Sequence, residues 1–250
     1  MDPTKPPTII LVCALAATGL SCAQPAKNPT AAREEDETMT IPETYHDPAR
    51  FADQIAQFEA ADAEAKPAAG AIVCVGSSSM RRWHEWLDED LAPLTVIGRG
   101  FGGSNMADVL HYVDRVVLTY RPRAVLLYEG DNDVALGATP EAILALFRAL
   151  TARIHGALPD CRVYVMSVKP SPSRWAMWPR MVETNHLLKA ACDGDGRLTF
   201  IDVATPMLGG DGKPAAHLYK DDDLHMVRAG YDVWRDAVRP VLMAGEARYE

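Results

Sequence analysis

Residues 71–80 read Ala-Ile-Val-Cys-Val-Gly-Ser-Ser-Ser-Met, and this stretch decides how the rest of the chain is interpreted. A short, continuous apolar run that ends at Gly76 is typical of a buried strand in a parallel sheet. In open parallel α/β sheets, ligands bind at the carboxyl ends of the strands. Residues 77–79 therefore follow the strand at the point where such folds place their reactive groups. A polar turn that caps the next helix is the alternative interpretation, because serine is a preferred N-cap residue.

Strand-like and helix-like segments alternate from residue 71 onward. The strand-like apolar runs are 71–76, 95–97, 124–128, 162–168 and 198–203. Segments with helical periodicity lie near 80–91, 105–119, 140–157, 176–192 and 226–243. An alternation of this kind predicts one α/β domain, in which helices cover both faces of a five-stranded parallel sheet.

The segments before this region are interpreted as a targeting signal and a linker. Residues 8–20 form an apolar run that is too short to cross a membrane and fits a secretory signal, so residues 1–23 are predicted to be a signal peptide. Residues 24–45 are rich in Pro, Ala, Thr and Glu and predict a flexible linker. The domain is expected to occupy residues 46–250, and Asp47 starts its first helix.

The signal itself carries a candidate modification site. Gly19-Leu20-Ser21-Cys22 resembles the end of a bacterial lipoprotein signal, in which the cysteine becomes the lipidated N-terminus. Lipidation of Cys22 would attach the protein to a membrane of the bacterial cell envelope. Two alternatives stay open. Ordinary cleavage after Ala23 would give a secreted or periplasmic protein, and translation from Met39 would give a cytoplasmic one.

Composition and cysteine spacing exclude several classes of partner. The 250 residues carry a net charge of −9 and contain no block of Lys and Arg, which disfavours nucleic acid as a partner. Removal of the predicted signal leaves three of the five cysteines, Cys74, Cys161 and Cys192, whose odd number and unrelated spacing predict neither a disulfide framework nor a zinc site. Residues 193–196, Asp-Gly-Asp-Gly, begin like a calcium loop, but Arg197 breaks the ligand spacing and a turn is expected.

Four further polar segments follow the second to fifth predicted strands. They are Arg99-Gly100-Phe101-Gly102-Gly103-Ser104-Asn105, Glu129-Gly130-Asp131-Asn132-Asp133, residues 167–174 and Asp221-Asp222-Asp223-Leu224-His225. Each alone is compatible with ordinary turns or solvated surface. Acyl transfer, however, needs a nucleophile, a base, an orienting carboxylate and oxyanion donors, and all four kinds of group occur at this edge. Asp222 and His225 are three residues apart, so that the carboxylate can orient the imidazole.

Residues 76–79, Gly103, residues 130–133 and residues 222–225 together resemble the SGNH (GDSL-type) hydrolase family. Its named residues are Ser, Gly, Asn and His, in that order, and the resemblance spans about residues 71–243. It implies a flavodoxin-like three-layer α/β/α sandwich. It also implies serine hydrolysis without a metal or organic cofactor.

The resemblance assigns roles to the residues at matching positions. Ser78 would be the nucleophile, His225 the base and Asp222 its carboxylate partner. The N–H groups of Ser78 and Gly103 and the side chain of Asn132 would form the oxyanion hole. The sequence departs from the family's Gly-Asp-Ser-Leu block, because serines replace both the Asp and the Leu. Three adjacent hydroxyls therefore leave the nucleophile assigned by position alone.

The reaction that follows from these roles is the hydrolysis of a carboxylic ester by a serine esterase. Because no apolar lid segment interrupts residues 71–243, short acyl chains, acetyl to butyryl, are expected. An O-deacetylase of carbohydrate esters is the alternative within the enzyme class. An inactive binding lipoprotein of the envelope is the alternative outside it. The α/β-hydrolase fold is disfavoured, because Met80 breaks the Gly-x-Ser-x-Gly elbow.

Four large side chains near these motifs are candidates for substrate contact. Arg99 and Arg174 would meet a substrate anion or pair with carboxylates such as Glu129, and the structural role is favoured. Trp175 and Trp178 are compatible with a carbohydrate substrate, and simple packing explains them equally well.

Overall fold

Five parallel strands form the central sheet in the computed structural model, which describes residues 42–250. They are β1 (Ile72–Gly76), β2 (Val96–Gly100), β3 (Ala124–Tyr128), β4 (Arg162–Met166) and β5 (Leu198–Ile201). The strand order is β2-β1-β3-β4-β5. This order changes direction between β1 and β3, and in such sheets the ligand crevice lies outside the carboxyl ends of the strands at that point. The predicted five-stranded parallel α/β fold is confirmed.

Helices cover both faces of this sheet. They are α1 (Ala52–Glu64), α2 (Ser78–Trp83), α3 (Leu87–Leu91), α4 (Met106–Val116), α5 (Asp131–Ala135), α6 (Pro140–Ala157), α7 (Trp178–Asp193) and α8 (Arg228–Glu246). Short 3₁₀ turns occupy Pro48–Phe51, Leu118–Tyr120, Pro172–Met177, Thr205–Met207, Ala216–Leu218 and Ala247–Tyr249. Among residues 42–250, no helix combines the length and the apolar character needed to cross a bilayer.

Alternate residues of each strand face two separate hydrophobic cores. In β1, Val73 and Val75 pack in the core beneath α1, α4, α6 and α7, whereas Ile72 and Cys74 pack in the core beneath α2, α3 and α8. Burial on both faces explains why the strands are continuously apolar rather than alternating. Cys74, Cys161 and Cys192 are free and buried, and behave as small apolar side chains.

The structure differs from the sequence prediction in two helical regions. The helix predicted near 80–91 is two short helices, α2 and α3, separated at His84. The His84 ring turns inward, and its Nε2 accepts a hydrogen bond of 3.0 Å from the Gly100 N–H. Burial lowers the pKa of His84 to about 4, which keeps the ring neutral and able to accept. The second difference is α5, a helical turn at Asp131–Ala135 where the sequence indicated a loop.

The boundary between linker and domain also differs. Tyr45 belongs to the predicted linker 24–45, yet its ring packs against the core and its hydroxyl donates to Asp133. The folded part therefore begins before residue 46. The predicted signal peptide 1–23, with Cys22, and the remainder of the linker through residue 41 lie outside the described residues.

Gly100 holds the end of β2 against the start of α2. A Cβ atom at this position would lie 2.4 Å from the Arg81 amide nitrogen and 2.8 Å from the Met80 carbonyl carbon. Both of these atoms belong to backbone and cannot rotate away. The absence of a side chain at Gly100 therefore sets the position of the helix that begins with Ser78.

Gly100→Ala is expected to destabilise the domain by about 1–3 kcal/mol, the usual cost of overpacking a core. Urea unfolding followed by circular dichroism measures this change in the free energy of unfolding. Gly156→Ala is the matched control, because Gly156 lies near the end of α6 with no atom within 4 Å of its would-be Cβ. Alanine there should be neutral or mildly stabilising. Equal effects of the two substitutions would contradict the assigned role of Gly100.

Candidate active site

A chain of two hydrogen bonds joins Ser78, His225 and Asp222 at the carboxyl edge of the sheet. His225 Nε2 lies 2.9 Å from Ser78 Oγ, and His225 Nδ1 lies 2.6 Å from Asp222 Oδ2. The other carboxylate oxygen of Asp222 accepts from the backbone N–H groups of Leu224 and His225 at 3.0 and 2.8 Å. These bonds, the one from the imidazole foremost, hold the pKa of Asp222 well below its usual range. Asp222 is thus a fixed anion beside the imidazole.

The three adjacent serines have different environments. Ser77 is fully buried, and its Oγ has no hydrogen-bond partner within the described part of the chain. It stands at the N-cap position of α2, but its side chain makes no capping bond. Ser79 is also buried, at 2% exposure. Ser78 is partly exposed, and its hydroxyl is the one of the three that meets His225.

The three groups predicted as oxyanion donors lie on neighbouring segments. The Ser78 N–H is in the first turn of α2, where helical N–H groups lack an intrahelical acceptor. Gly103 adopts a φ of +91°, which favours glycine, and its N–H donates no hydrogen bond within residues 42–250. Asn132 Nδ2 donates to the Ser104 carbonyl at 2.8 Å, which ties α5 to the loop that carries Gly103. The second amide hydrogen of Asn132 remains available.

Of the two arginines predicted as candidate substrate contacts, one lies at the site and the other does not. Arg174 lies at the site: its Nη2 donates to Asn132 Oδ1 at 2.9 Å, and its Nη1 is 3.3 Å from Asp131 Oδ2. Its carboxylate partner is therefore Asp131 rather than Glu129. Arg99 lies elsewhere, because its guanidinium bonds Tyr120 and Asp62 beside α1 and contacts none of the candidate site residues. A substrate contact for Arg99 is not supported.

Lys169 is a site residue that the sequence did not suggest. Its side chain is 1% exposed, and Nζ donates to the Leu224 carbonyl at 2.9 Å, one residue before His225. Nζ also lies 4.0 Å from Asp131 Oδ2. Burial lowers the pKa of Lys169 to about 8, although Asp131 partly opposes that shift. A buried chain of ionic and polar contacts thus runs from Asn132 through Arg174, Asp131 and Lys169 to the segment that carries His225.

A second layer of acids supports the loop that contains Gly103. Glu129 is fully buried and accepts from Ser104 Oγ at 2.6 Å, and burial raises its pKa well above the usual range. Asp133 accepts from the Met106 N–H at 3.1 Å and from Tyr45, and burial raises its pKa to about 6. These bonds attach the start of α4 to the segment that follows β3, including α5.

Two further features of the sequence, the possible metal ligands and the tryptophans after β4, can be placed in the structure. Within residues 42–250, no group of three His, Cys, Asp or Glu side chains converges as metal ligands. The loop at 193–196 forms a turn in which Asp195 pairs with Arg197. Trp175 and Trp178 are partly exposed and stack with ring centroids 5.8 Å apart. They follow β4, next to Arg174 in sequence.

Three solved structures have a similar fold. A Streptococcus pneumoniae protein, provisionally assigned as a platelet activating factor, aligns with a TM-score of 0.69 and 15% identity over 78% of this chain and 94% of its own. A GDSL-like lipase from Bacteroides thetaiotaomicron aligns with a TM-score of 0.63 and 21% identity over 80% and 98%. A carbohydrate esterase family 3 protein from Talaromyces cellulolyticus aligns with a TM-score of 0.58 and 15% identity over 72% and 100%.

Sequence comparison assigns the family. No curated protein matches the chain at a significant level. The GDSL-like Lipase/Acylhydrolase family matches residues 68–233. This span contains all five strands and the candidate site residues Ser78, Gly103, Asn132, Asp222 and His225. Because this match covers well over half of the 250 residues, the chain belongs to the GDSL-like lipase/acylhydrolase (SGNH) family of ester hydrolases.

Proposed function

We propose that this protein is a serine esterase that hydrolyses short-acyl carboxylic esters, with Ser78, His225 and Asp222 as its catalytic triad. The observation that carries the proposal is the 2.9 Å contact between Ser78 Oγ and His225 Nε2, with Asp222 on the opposite ring nitrogen. A serine hydroxyl is a weak nucleophile unless a base removes its proton, and an imidazole held in one orientation is the usual base.

The first half of the reaction forms an acyl-enzyme. Ser78 Oγ attacks the ester carbonyl while His225 Nε2 takes its proton, and Asp222 stabilises the resulting imidazolium. The carbonyl oxygen becomes an oxyanion, which accepts hydrogen bonds from the N–H groups of Ser78 and Gly103 and from the free amide hydrogen of Asn132. The tetrahedral adduct then collapses, and His225 returns the proton to the departing alcohol.

The second half releases the acid. Water gives a proton to His225 and attacks the acyl-enzyme carbonyl, and the same donors hold the second oxyanion. Ser78 then leaves with the proton from the imidazolium, which restores the enzyme. Donors that are fixed before the substrate arrives need no reorganisation, and each one contributes on the order of 10²–10³ in turnover.

Carbohydrate O-acetyl esters are the second candidate substrate class. The supporting observation is the stacked, partly exposed pair Trp175 and Trp178, which follows β4 close to Arg174. Exposed aromatic faces suit the apolar faces of sugar rings. The similar fold from Talaromyces cellulolyticus is named a carbohydrate esterase, which agrees with this possibility for the present chain.

We also propose that the protein is a lipoprotein of the bacterial cell envelope, anchored through Cys22. The support is the apolar run at residues 8–20 followed by Gly19-Leu20-Ser21-Cys22. A linker of the predicted length and composition would hold the catalytic domain away from the membrane surface. Cleavage after Ala23, which would release a soluble protein to the periplasm or medium, is the competing outcome.

The assignment of the nucleophile gives the first prediction about activity. Ser78→Ala should abolish hydrolysis while circular dichroism shows an intact fold, and a fluorophosphonate adduct should map to Ser78 by mass spectrometry. Ser77→Ala and Ser79→Ala are the matched controls and should keep substantial activity, since neither hydroxyl meets His225. Asp222→Asn should lower the hydrolysis rate less than Ser78→Ala does, because Asp222 orients His225 without transferring a proton.

An adduct on Ser77 or Ser79, with Ser78→Ala still active, would show that the nucleophile is assigned to the wrong serine. A wild-type protein that neither reacts with the phosphonate nor hydrolyses any ester would instead support an inactive binding protein.

Lys169 gives a prediction that combines activity and pH. Lys169→Met should lower kcat by about ten- to a hundredfold with little change in KM, because the segment of His225 loses its anchor and small misplacements are costly. Since the folded pKa of Lys169 lies below its unfolded value, wild-type stability should rise between about pH 8 and pH 10.5. The variant should lose that rise.

Lys189→Met serves as the control, because Lys189 is an exposed lysine on α7 that pairs with Asp193. It should change neither kcat nor the pH dependence of urea unfolding. A Lys169→Met enzyme with wild-type kcat would show that Lys169 does not position His225.

Acyl-chain preference tests the substrate proposal. On p-nitrophenyl esters, kcat/KM should be highest for acetyl to butyryl groups and should fall with longer chains, because no apolar lid segment interrupts residues 71–243. An additional panel of acetylated sugars separates the two substrate classes. Faster turnover of long-chain esters, without activation at a lipid interface, would contradict the short-acyl proposal.

Cell fractionation tests the proposed location. In a bacterial host, the full chain should be found with the membranes, and Cys22→Ala should move it to the soluble fraction. Cys74→Ala, which removes a buried thiol, is the control and should leave the location unchanged. A wild-type protein that is soluble and begins at Gln24 would indicate ordinary cleavage instead.

A further inference from the structure

A positively charged cleft of about 300 Å³ is lined in part by residues of α2, the helix that begins with Ser78, and by Met226, the residue after His225. Its walls include Arg81, Arg82 and Lys220, and Glu85 is the one carboxylate residue among its lining residues. The proposed hydrolysis uses none of these side chains. Three cations around one opening are notable in a chain whose net charge is −9.

Helix α2 fixes the two arginines relative to Ser78. Residues three and four positions apart share one face of a helix, so Arg81 and Arg82 follow Ser78 by one turn, about 5.4 Å along the axis. A Cβ placed on Gly102 would lie 3.2 Å from Arg81 Nε. The Arg81 guanidinium therefore rests against the loop that supplies Gly103.

The lysine is fixed relative to His225 by backbone hydrogen bonding. The Lys220 N–H donates to the His225 carbonyl at 2.7 Å, and the adjoining pair, Tyr219 and Met226, forms an antiparallel bridge. Lys220 and Met226 both line the cleft. Two separate parts of the chain, one that carries Ser78 and one that carries His225, thus contribute cations to the same cleft.

The charges of the cleft are not neutralised by the protein. Across the described part of the chain, Arg81, Arg82 and Lys220 form no salt bridge, even though Glu85 and residues 221–223 are close in sequence. Elsewhere on the surface, arginines pair readily: Arg228 and Arg235, for example, share Asp232. Arg82 Nε is buried and has no hydrogen-bond partner among the described residues. Buried donors are normally satisfied, so this one indicates a missing acceptor.

The chemistry of the walls selects an anion and disfavours a cation. Guanidinium groups present paired donors that match carboxylate or phosphate oxygens. Trp86 also lines the cleft and could in principle attract a ligand cation, but the Arg228 guanidinium already lies 5.1 Å from its ring centroid. A quaternary ammonium would meet three like charges and an occupied aromatic face.

We propose that this cleft binds a carboxylate or phosphate carried by the alcohol portion of the substrate, so that the enzyme prefers esters of anionic alcohols. The inference rests on the proposed esterase function of Ser78. We assign the anion to the alcohol portion rather than to the acyl portion of the ester. An acyl group of two to four carbons bound at Ser78 would not also carry a charge into the cleft. The cations thereby determine which ester reaches the oxyanion hole.

Matched aryl acetates test this proposal. Phenyl acetate is the neutral reference, 4-acetoxybenzoate and 4-acetoxyphenyl phosphate carry the two anions, and (4-acetoxyphenyl)trimethylammonium carries a cation. Leaving groups differ in reactivity, so the measured quantity is the ratio of kcat/KM for each charged ester to that for phenyl acetate. When this ratio is compared between wild type and variants, the difference in leaving-group reactivity cancels.

The double variant Arg82→Gln/Lys220→Gln should lower the ratio for the anionic esters by about tenfold or more, as expected for charge-assisted hydrogen bonds. The ratio for the trimethylammonium ester should rise. Arg82→Lys should recover part of the loss, because the charge returns without the paired donors. Arg148→Gln, which removes an exposed charge from α6, is the control for long-range electrostatics and should leave every ratio unchanged.

The pattern of losses identifies the ligand and separates this proposal from the proposed function. A larger loss for the carboxylate or for the phosphate shows which anion the cleft suits, and either result supports the proposal. If the double variant hydrolyses phenyl acetate but keeps the wild-type ratios, the cleft does not bind the anion and the inference is wrong. If wild-type protein hydrolyses no ester and Ser78 takes no phosphonate, the esterase function itself fails.

Discussion

The contact between Ser78 Oγ and His225 Nε2 joins residues 147 positions apart in sequence, and it forms only when the whole sheet is assembled. Ser78 is placed by α2, whose backbone lies against Gly100 at the end of β2. His225 is placed by a segment that Lys169 anchors after β4. The proposed proton transfer between them would tolerate little misplacement, so both supports would have to hold to within a fraction of an ångström. The geometry of the site is therefore a consequence of the strand order.

The buried ionisable groups beneath the site, such as Lys169 and Asp133, help to place Ser78 and His225 but lower the stability of the folded protein. Burial lowers the pKa of Lys169 to about 8 and raises the pKa of Asp133 to about 6, which means that each charge is less favourable inside the protein than in water. In many such positions, replacement by apolar residues of similar volume leaves a protein at least as stable. Ionic groups, however, have directional partners, and Lys169 selects one position for the Leu224 carbonyl. The two hydrophobic cores on either face of the sheet compensate for the loss.

The features that can be predicted from the sequence are local or repeat along the chain. The five strands were recognisable because strands buried on both faces are continuously apolar, and Asp222 lies within one turn of His225. Lys169 had no such signal, because its partners Asp131 and Leu224 are distant in sequence and only the fold brings them together. Arg99 and Arg174 both adjoin motifs, yet the pleat of β2 turns Arg99 toward α1, and no spacing rule predicts that difference.

Two segments of the chain, α2 and the segment from Lys220 to Met226, carry both the Ser78–His225 pair and the cations of the cleft. The two sets of side chains lie on opposite sides of these segments. On the buried side, Lys169 and the contact at Gly100 fix the backbone around His225 and Ser78. On the side of the cleft, the partly exposed Arg82 and the exposed Lys220 extend from those segments and form no salt bridge among the described residues. Because exposed side chains carry little of the packing, substitutions there change the electrostatic potential at the opening while the backbone beneath stays in place. The proposed substrate preference and the geometry of the Ser78–His225 contact can therefore vary independently, although α2 carries both Ser78 and Arg82.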